Sequence, residues 1–201
     1  FCRMSCVEEF ISHPGRHEIE FQTKLMKGLS HLSASLIRAV RAQYRLEWAG
    51  LHGAKHWARV LYNGMTLAEL TGARPEVVAL FAMFHDACRL NDGYDPEHGS
   101  RGAELAAAMR GKFYSIEDSS AELLFAACRT HTEGTHHPDV TVRVCWDADR
   151  LDLWRVGIMP DPRRLTTAPA RSSDLLRAAV ARSARSEFPF QDLFEGAGIR
   201  I

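Results

Sequence analysis

Apolar residues return every third or fourth position along most of the chain, a spacing that predicts helices. In residues 30–48, Leu32, Leu36, Val40 and Tyr44 recur every fourth position with Ile37 alongside, predicting an amphipathic helix on the outside of the core. Residues 54–71 put Trp57, Val60, Leu61, Leu67 and Leu70 on one side, and Gly72 follows where a left-handed cap is expected. The next run begins at Pro75, a favoured first-turn residue, and carries Val77, Leu80, Phe81, Phe84 and Cys88 as one buried stripe. Helices are expected again over 100–110, over 120–130 with Leu123, Leu124, Ala127 and Cys128 inward, and over 173–186 with Leu175, Leu176, Ala179 and Val180 inward. Between them, Val140, Val142 and Val144 alternate like a strand, but Val144, Ala148 and Leu151 keep the helical period, so a helix is expected over 140–156. Residues 1–28 show no sustained period and read as an irregular extension, with Met4 and Met26 as candidate internal starts, ahead of a single domain over 29–201. A series of helices without a secure strand predicts an all-α protein, a compact multi-helix bundle.

Composition narrows the class. Hydrophobic residues make up 46% and charged residues 25%, ordinary values for a soluble chain able to bury a core. Lys+Arg 25 balances Asp+Glu 25, so no overall basic field favours a polynucleotide or an anionic membrane surface. The longest apolar run, Val77 to Phe84, is far short of the roughly 20 residues a membrane-spanning helix needs. A cytoplasmic protein is expected, with an oligomer open. Cys2, Cys6, Cys88, Cys128 and Cys145 form no C-x-x-C pair and read as reduced thiols, mostly in the core.

Chemistry-bearing residues crowd the middle of the chain. The apolar run ends abruptly in His85-Asp86, inside or at the rim of a core, where an ionised carboxylate is costly unless a positive group offsets it. A divalent transition metal suits neighbouring imidazole and carboxylate donors; the alternative is a hydrogen-bonded core histidine beside a solvent-facing Asp. His56 lies on the preceding helix, and His131 continues the stripe three residues beyond Cys128. Within 146–152, Asp147, Asp149 and Asp152 offer carboxylates, a pattern that a solvated helix face also produces. The turn-rich segment 89–99 is the candidate active-site loop, with Asp92 and Asp95 as substrate-binding candidates and His98 opening the helix behind it. His136, in the loop 133–138, is a further candidate at the pocket border, although loop histidines are commonly just solvated.

Taken together, His52-Gly53-Ala54-Lys55-His56, Phe84-His85-Asp86 and Ala148-Asp149-Arg150-Leu151 resemble the HD-domain superfamily of metal-dependent phosphohydrolases over residues 51–156, about half the chain. The ordered pattern of a histidine, then His-Asp, then a distant aspartate carries the resemblance, which extends to stand-alone, functionally uncharacterised bacterial members. It implies His56, His85, Asp86 and Asp149 as metal ligands, Asp149 being preferred to Asp147 because it precedes a basic residue. It also implies His98 and His131 as ligands of a second ion. The metal would be Mn, Fe, Co, Ni or Zn, in one or two ions, and the reaction hydrolysis of a small phosphorylated substrate, such as a nucleotide, by metal-activated water. Arg89 and Arg150 are placed to steady phosphoryl oxygens, though either also fits as a solvent-exposed residue or an Asp partner. His52, four residues before His56, is a candidate general acid by analogy with cyclic nucleotide phosphodiesterases, or else a capping residue. Two other outcomes stay open under the resemblance: a di-iron oxygenase cleaving C–C or C–P bonds, and a non-catalytic nucleotide-sensing module.

Overall fold

A computed structural model describes residues 25–185 and 189–198, and among these residues the architecture is all-α, without a strand. After a helical segment over 25–29, the chain forms α1 (Ala34–Arg41), α2 (Ala54–Thr71), α3 (Pro75–Phe84), α4 (His98–Met109), α5 (Asp118–Thr130) and α6 (Val140–Arg150). Short 3-10 turns at Leu153–Val156, Pro162–Arg164 and Pro169–Arg171 lead to α7 (Ser173–Ser183) and α8 (Gln191–Gly196).

The helix α3 is the centre. It contacts α1, α2, α4, α5 and α6, which bury every residue from Val77 to Phe84. The sequence suggests a single buried stripe; packing from all sides buries the whole circumference, and Cys88, beyond the helix, is only half-buried. Around α3, α2 packs on α6 and α4 packs on α5. No helix among the described residues is long and apolar enough to cross a membrane.

Several expected boundaries move, each for a local reason. The helix expected over 30–48 stops at Arg41, and the following turns swing Tyr44 and Trp48 into an aromatic nest with Trp57 and Phe194, ring centroids 5.0–5.9 Å apart. Burying four large rings edge-to-face outweighs continuing a helix at the surface. The expected 140–156 helix is broken after Arg150, where Leu151 and Asp152 turn inward and a 3-10 turn follows. Leu70 is 58% exposed in the last turn of α2, whose Leu67 and Ala68 are the buried positions, and Gly72 caps the helix at φ 75° as expected. Leu175, Leu176 and Val180 are only half-buried, leaving Ala179 as the buried contact of α7. Residues 25–28 belong to the helical segment, with Leu25 packed on the core; the rest of the expected irregular extension lies outside the described residues. Cys88, Cys128 and Cys145 are free thiols, while Cys2 and Cys6 also lie outside.

Glycines let α4 approach its neighbours backbone to backbone. A Cβ on Gly102 would sit 2.4 Å from the Phe84 carbonyl and 3.2 Å from that of His85; one on Gly99 would sit 2.3 Å from the Cys128 carbonyl. Gly102→Ala is therefore expected to push α4 off the end of α3, costing about 1–3 kcal/mol. Thermal unfolding in the presence of chelator measures this directly; an unchanged midpoint would show that the contact is not as close as described.

Candidate metal centre

Five helix ends meet at one point. His56 stands in the first turn of α2 and His98 opens α4, while His85 caps the C-terminus of α3, His131 caps that of α5, and Asp149 ends α6. Asp86 follows His85 by one residue. His56, His85, Asp86, His98 and His131 are all at most 4% exposed, and the Asp149 side chain is 14% exposed.

Every imidazole is oriented the same way. The Nδ1 of His85 donates to the Phe81 carbonyl at 3.1 Å, that of His131 to the Cys128 carbonyl at 2.8 Å, and that of His98 to the Asp95 carbonyl. His56 Nδ1 donates to Asp152 Oδ2 at 2.8 Å. With Nδ1 carrying the proton in each ring, all four Nε2 atoms present lone pairs, and they present them to one another: 3.0 Å from His56 to His85 and 2.8 Å from His98 to His131. Facing lone pairs repel unless a cation or a proton lies among them.

The carboxylates complete the arrangement. Asp86 reaches both pairs of rings, Oδ2 lying 3.5 Å from His56 Nε2 and Oδ1 3.2 Å from His98 Nε2. Asp149 Oδ1 is 3.4 Å from His56 Nε2, yet this buried oxygen accepts no hydrogen bond among the described residues. Two groups of donors can thus hold a metal ion: His56, His85 and Asp86, with Asp149 beside them, and Asp86, His98 and His131. The fit is better in the first. In the second, Arg89 Nη1 already lies 3.1 Å from His98 Nε2 and 3.4 Å from Asp86 Oδ1, so a guanidinium shares the donors.

Burial and the two carboxylates pull the cluster in opposite directions: burial wins at His85, while at His131 the hydrogen bond and charge of Asp86, with Asp149, raise the pKa against burial. Burial pushes the His85 pKa down to about 3 against the pull of Asp86 and Asp149, so this imidazole is neutral, the form that binds metals. Burial alone would raise the Asp86 carboxyl, but the ring of imidazoles around it, His131 among them, holds it below the usual carboxylate range. Asp149 is likewise held low, burial being outweighed by Arg155 and then the imidazoles.

The structure brings His56, His85, Asp86, His98, His131 and Asp149 together and sets Arg89 among them, but it places other expected site residues elsewhere. Arg150 points away from the cluster, its guanidinium donating to the carbonyls of Arg164, His131 and Gly134, because successive residues of α6 face about 100° apart. Asp95 binds Arg101 at 2.6 Å and the Leu90 amide at 2.9 Å, so it ties the loop together instead of facing a substrate. His136 is exposed and lines a cavity beside Arg150. Asp92 accepts from His52 Nδ1 at 2.8 Å. His52 itself precedes α2, whose cap is Gly53, so the two histidines do not share a helical turn; it is nevertheless buried, its ring 6.3 Å from that of His56.

Three contributors escape the sequence reading. Asp152, named there only as one of three carboxylates in its segment, is completely buried and orients His56 while accepting from Arg59 at 2.6 Å and Ser183 at 2.5 Å. Arg155 reaches within 3.7 Å of Asp149 Oδ1. The available signal for Arg59 was its place three residues beyond His56, on the same helix face. Compared with family models, with curated proteins and with solved structures, the chain matches none.

Proposed function

We propose that this cluster is the metal centre of an HD-type phosphohydrolase that acts on a small phosphorylated compound such as a nucleotide. The observation that carries the reading is the convergence of four oriented Nε2 lone pairs on the two oxygens of Asp86, beside an orphaned oxygen of Asp149. Nitrogen and carboxylate donors in this proportion suit Mn²⁺, Fe²⁺, Co²⁺, Ni²⁺ or Zn²⁺. His56, His85, Asp86 and Asp149 would hold one ion, and Asp86, His98 and His131 a second where Arg89 yields its contacts. A divalent ion supplies a more acidic water and a positive charge for a phosphoryl oxygen.

The chain's own residues supply the rest. Arg155, beside Asp149, and Arg89, beside Asp86, offer positive charge to non-bridging oxygens. Asp92 fixes His52 with Nδ1 protonated and leaves Nε2 without a hydrogen bond among the described residues. Burial lowers the His52 pKa, so the form protonated at Nε2 is the stronger acid, able to give that proton to the leaving oxygen as the P–O ester bond breaks and the bond from water to phosphorus forms. The buried rings exclude bulk water from the reacting group.

A screen of phosphate monoesters and nucleotides tests the reading. Chelation is expected to lower turnover at least about 100-fold, and added Mn²⁺, Co²⁺ or Ni²⁺ to restore it. Turnover that persists in metal-stripped protein, or a covalent phospho-enzyme, overturns the mechanism. The assembly of four histidines and two aspartates also favours a second reading, a di-iron oxygenase; oxygen consumption by the iron-loaded protein, with no phosphate released from any ester, selects it.

A further inference from the structure

The chain has no net charge, yet five of its arginines line one cavity of about 270 Å³. Arg143 and Arg150 enter it from α6, and Arg163, Arg164 and Arg171 from the 3-10 turns that follow; the acidic residue lining it is Glu133. Arg143 and Arg150 are seven residues apart and share a helix face with Asp147, which hydrogen-bonds Thr166 and Thr167. Asp149 lies two residues from Asp147, on nearly the opposite side. The helix α6 therefore stands between this cavity and the metal cluster.

Several of these cations hold the walls in place. Arg150 is bound to three carbonyls, Arg163 to Asp161, and Arg171 Nε to the Leu165 carbonyl at 2.8 Å. The others have donors free. Arg143 spends Nη1 on the Thr166 carbonyl at 3.4 Å, but its Nε is buried without a hydrogen-bond partner, and the exposed Arg164 guanidinium makes no hydrogen bond or ion pair among the described residues. Unused guanidinium donors crowded around a concavity repel one another, and an oxyanion relieves that repulsion while satisfying the forks.

We propose that this cavity is a binding site for a small phosphorylated or phosphonate-like anion, separate from the metal cluster. Its size admits one tetrahedral oxyanion with a small organic body and not a polymer. The assignment does not depend on the hydrolase reading, since none of its lining residues belongs to either donor group. One consequence follows from Arg150: because its guanidinium also holds the carbonyl of His131, an anion seated there stiffens the segment that carries a cluster histidine.

Calorimetric titration of the full chain at fixed ionic strength, with inorganic phosphate and with phenylphosphonate, which has no ester bond to hydrolyse, tests the site. One saturable site that persists after chelation, apart from any binding at the metal cluster, is expected. Arg164→Ala, an exposed change that removes no hydrogen bond or ion pair among the described residues, is expected to weaken it about tenfold, and Arg143→Gln to weaken it comparably. His85→Ala, at the metal cluster, is expected to leave it unchanged. Tighter phenylphosphonate assigns an organic phosphate as the ligand class, and tighter phosphate the free oxyanion. The proposal is overturned if neither probe saturates, or if binding survives both arginine changes and disappears in His85→Ala, which would put the anion at the cluster.

Discussion

Asp86→Asn is expected to empty the metal cluster while leaving the helices in place. Asp86 is the carboxylate shared by both donor groups, with its two oxygens 3.2–3.8 Å from all four Nε2 atoms. The amide keeps the shape and offers one neutral oxygen, but its NH₂ faces imidazoles as a donor, and the buried negative charge that would balance a dication is gone. Removing a residue that merely orients a metal ligand typically costs about 10–100-fold in affinity, so loss of a ligand common to both groups should cost at least about 100-fold. Competition against a chelating dye measures the affinity, and circular dichroism the helicity. Wild-type affinity with intact helices would move the metal away from this cluster.

The second large effect concerns stability. Asp152 is buried against Arg59, His56 and Ser183, and its carboxyl lies far below the usual range: burial would raise it, but the hydrogen bond from His56 and then the Arg59 guanidinium prevail. Asp152→Ala leaves the Arg59 guanidinium, 5% exposed, without its carboxylate. Breaking a buried ion pair from one side typically costs about 3–5 kcal/mol. For a chain of this size that corresponds to a fall of about 10 °C in unfolding temperature. The double variant Arg59→Leu, Asp152→Ala should recover part of the loss, because no unpaired charge is left behind. The sign of the pH dependence follows from the depressed folded-state pKa: the contribution is fully present above the unfolded-state value near about 4 and fades as pH falls below it. The gap between wild type and Asp152→Ala should narrow in that window; a gap independent of pH would show that the carboxylate's charge is not what stabilises.

Periodicity located the helices, because an apolar face is written in a helix's own residues, but not where the helices over 30–48 and 140–156 end. Pro75 and Gly72 marked real ends, and the apolar run before His85 marked the centre of the bundle. Adjacent polarity in an apolar setting was the legible sign of the cluster, and the same logic placed His131 inward. What failed was direction at the helix ends: Arg150 and Asp149 are neighbours in sequence but face opposite tasks, one holding carbonyls and the other joining the cluster.

The sequence by itself determined the all-α class, the central helix and the donor types that a metal centre needs. Only the tertiary structure decided that Asp152 orients His56 across 96 positions, that Arg89 shares the second donor group, and that five arginines from one helix and two separate 3-10 turns surround one cavity. The physical reason is that burial and periodicity are properties of a segment, written in the order of its own residues. A hydrogen bond or a shared charge is a property of two segments, and it exists only once packing has brought them within about 3 Å of each other.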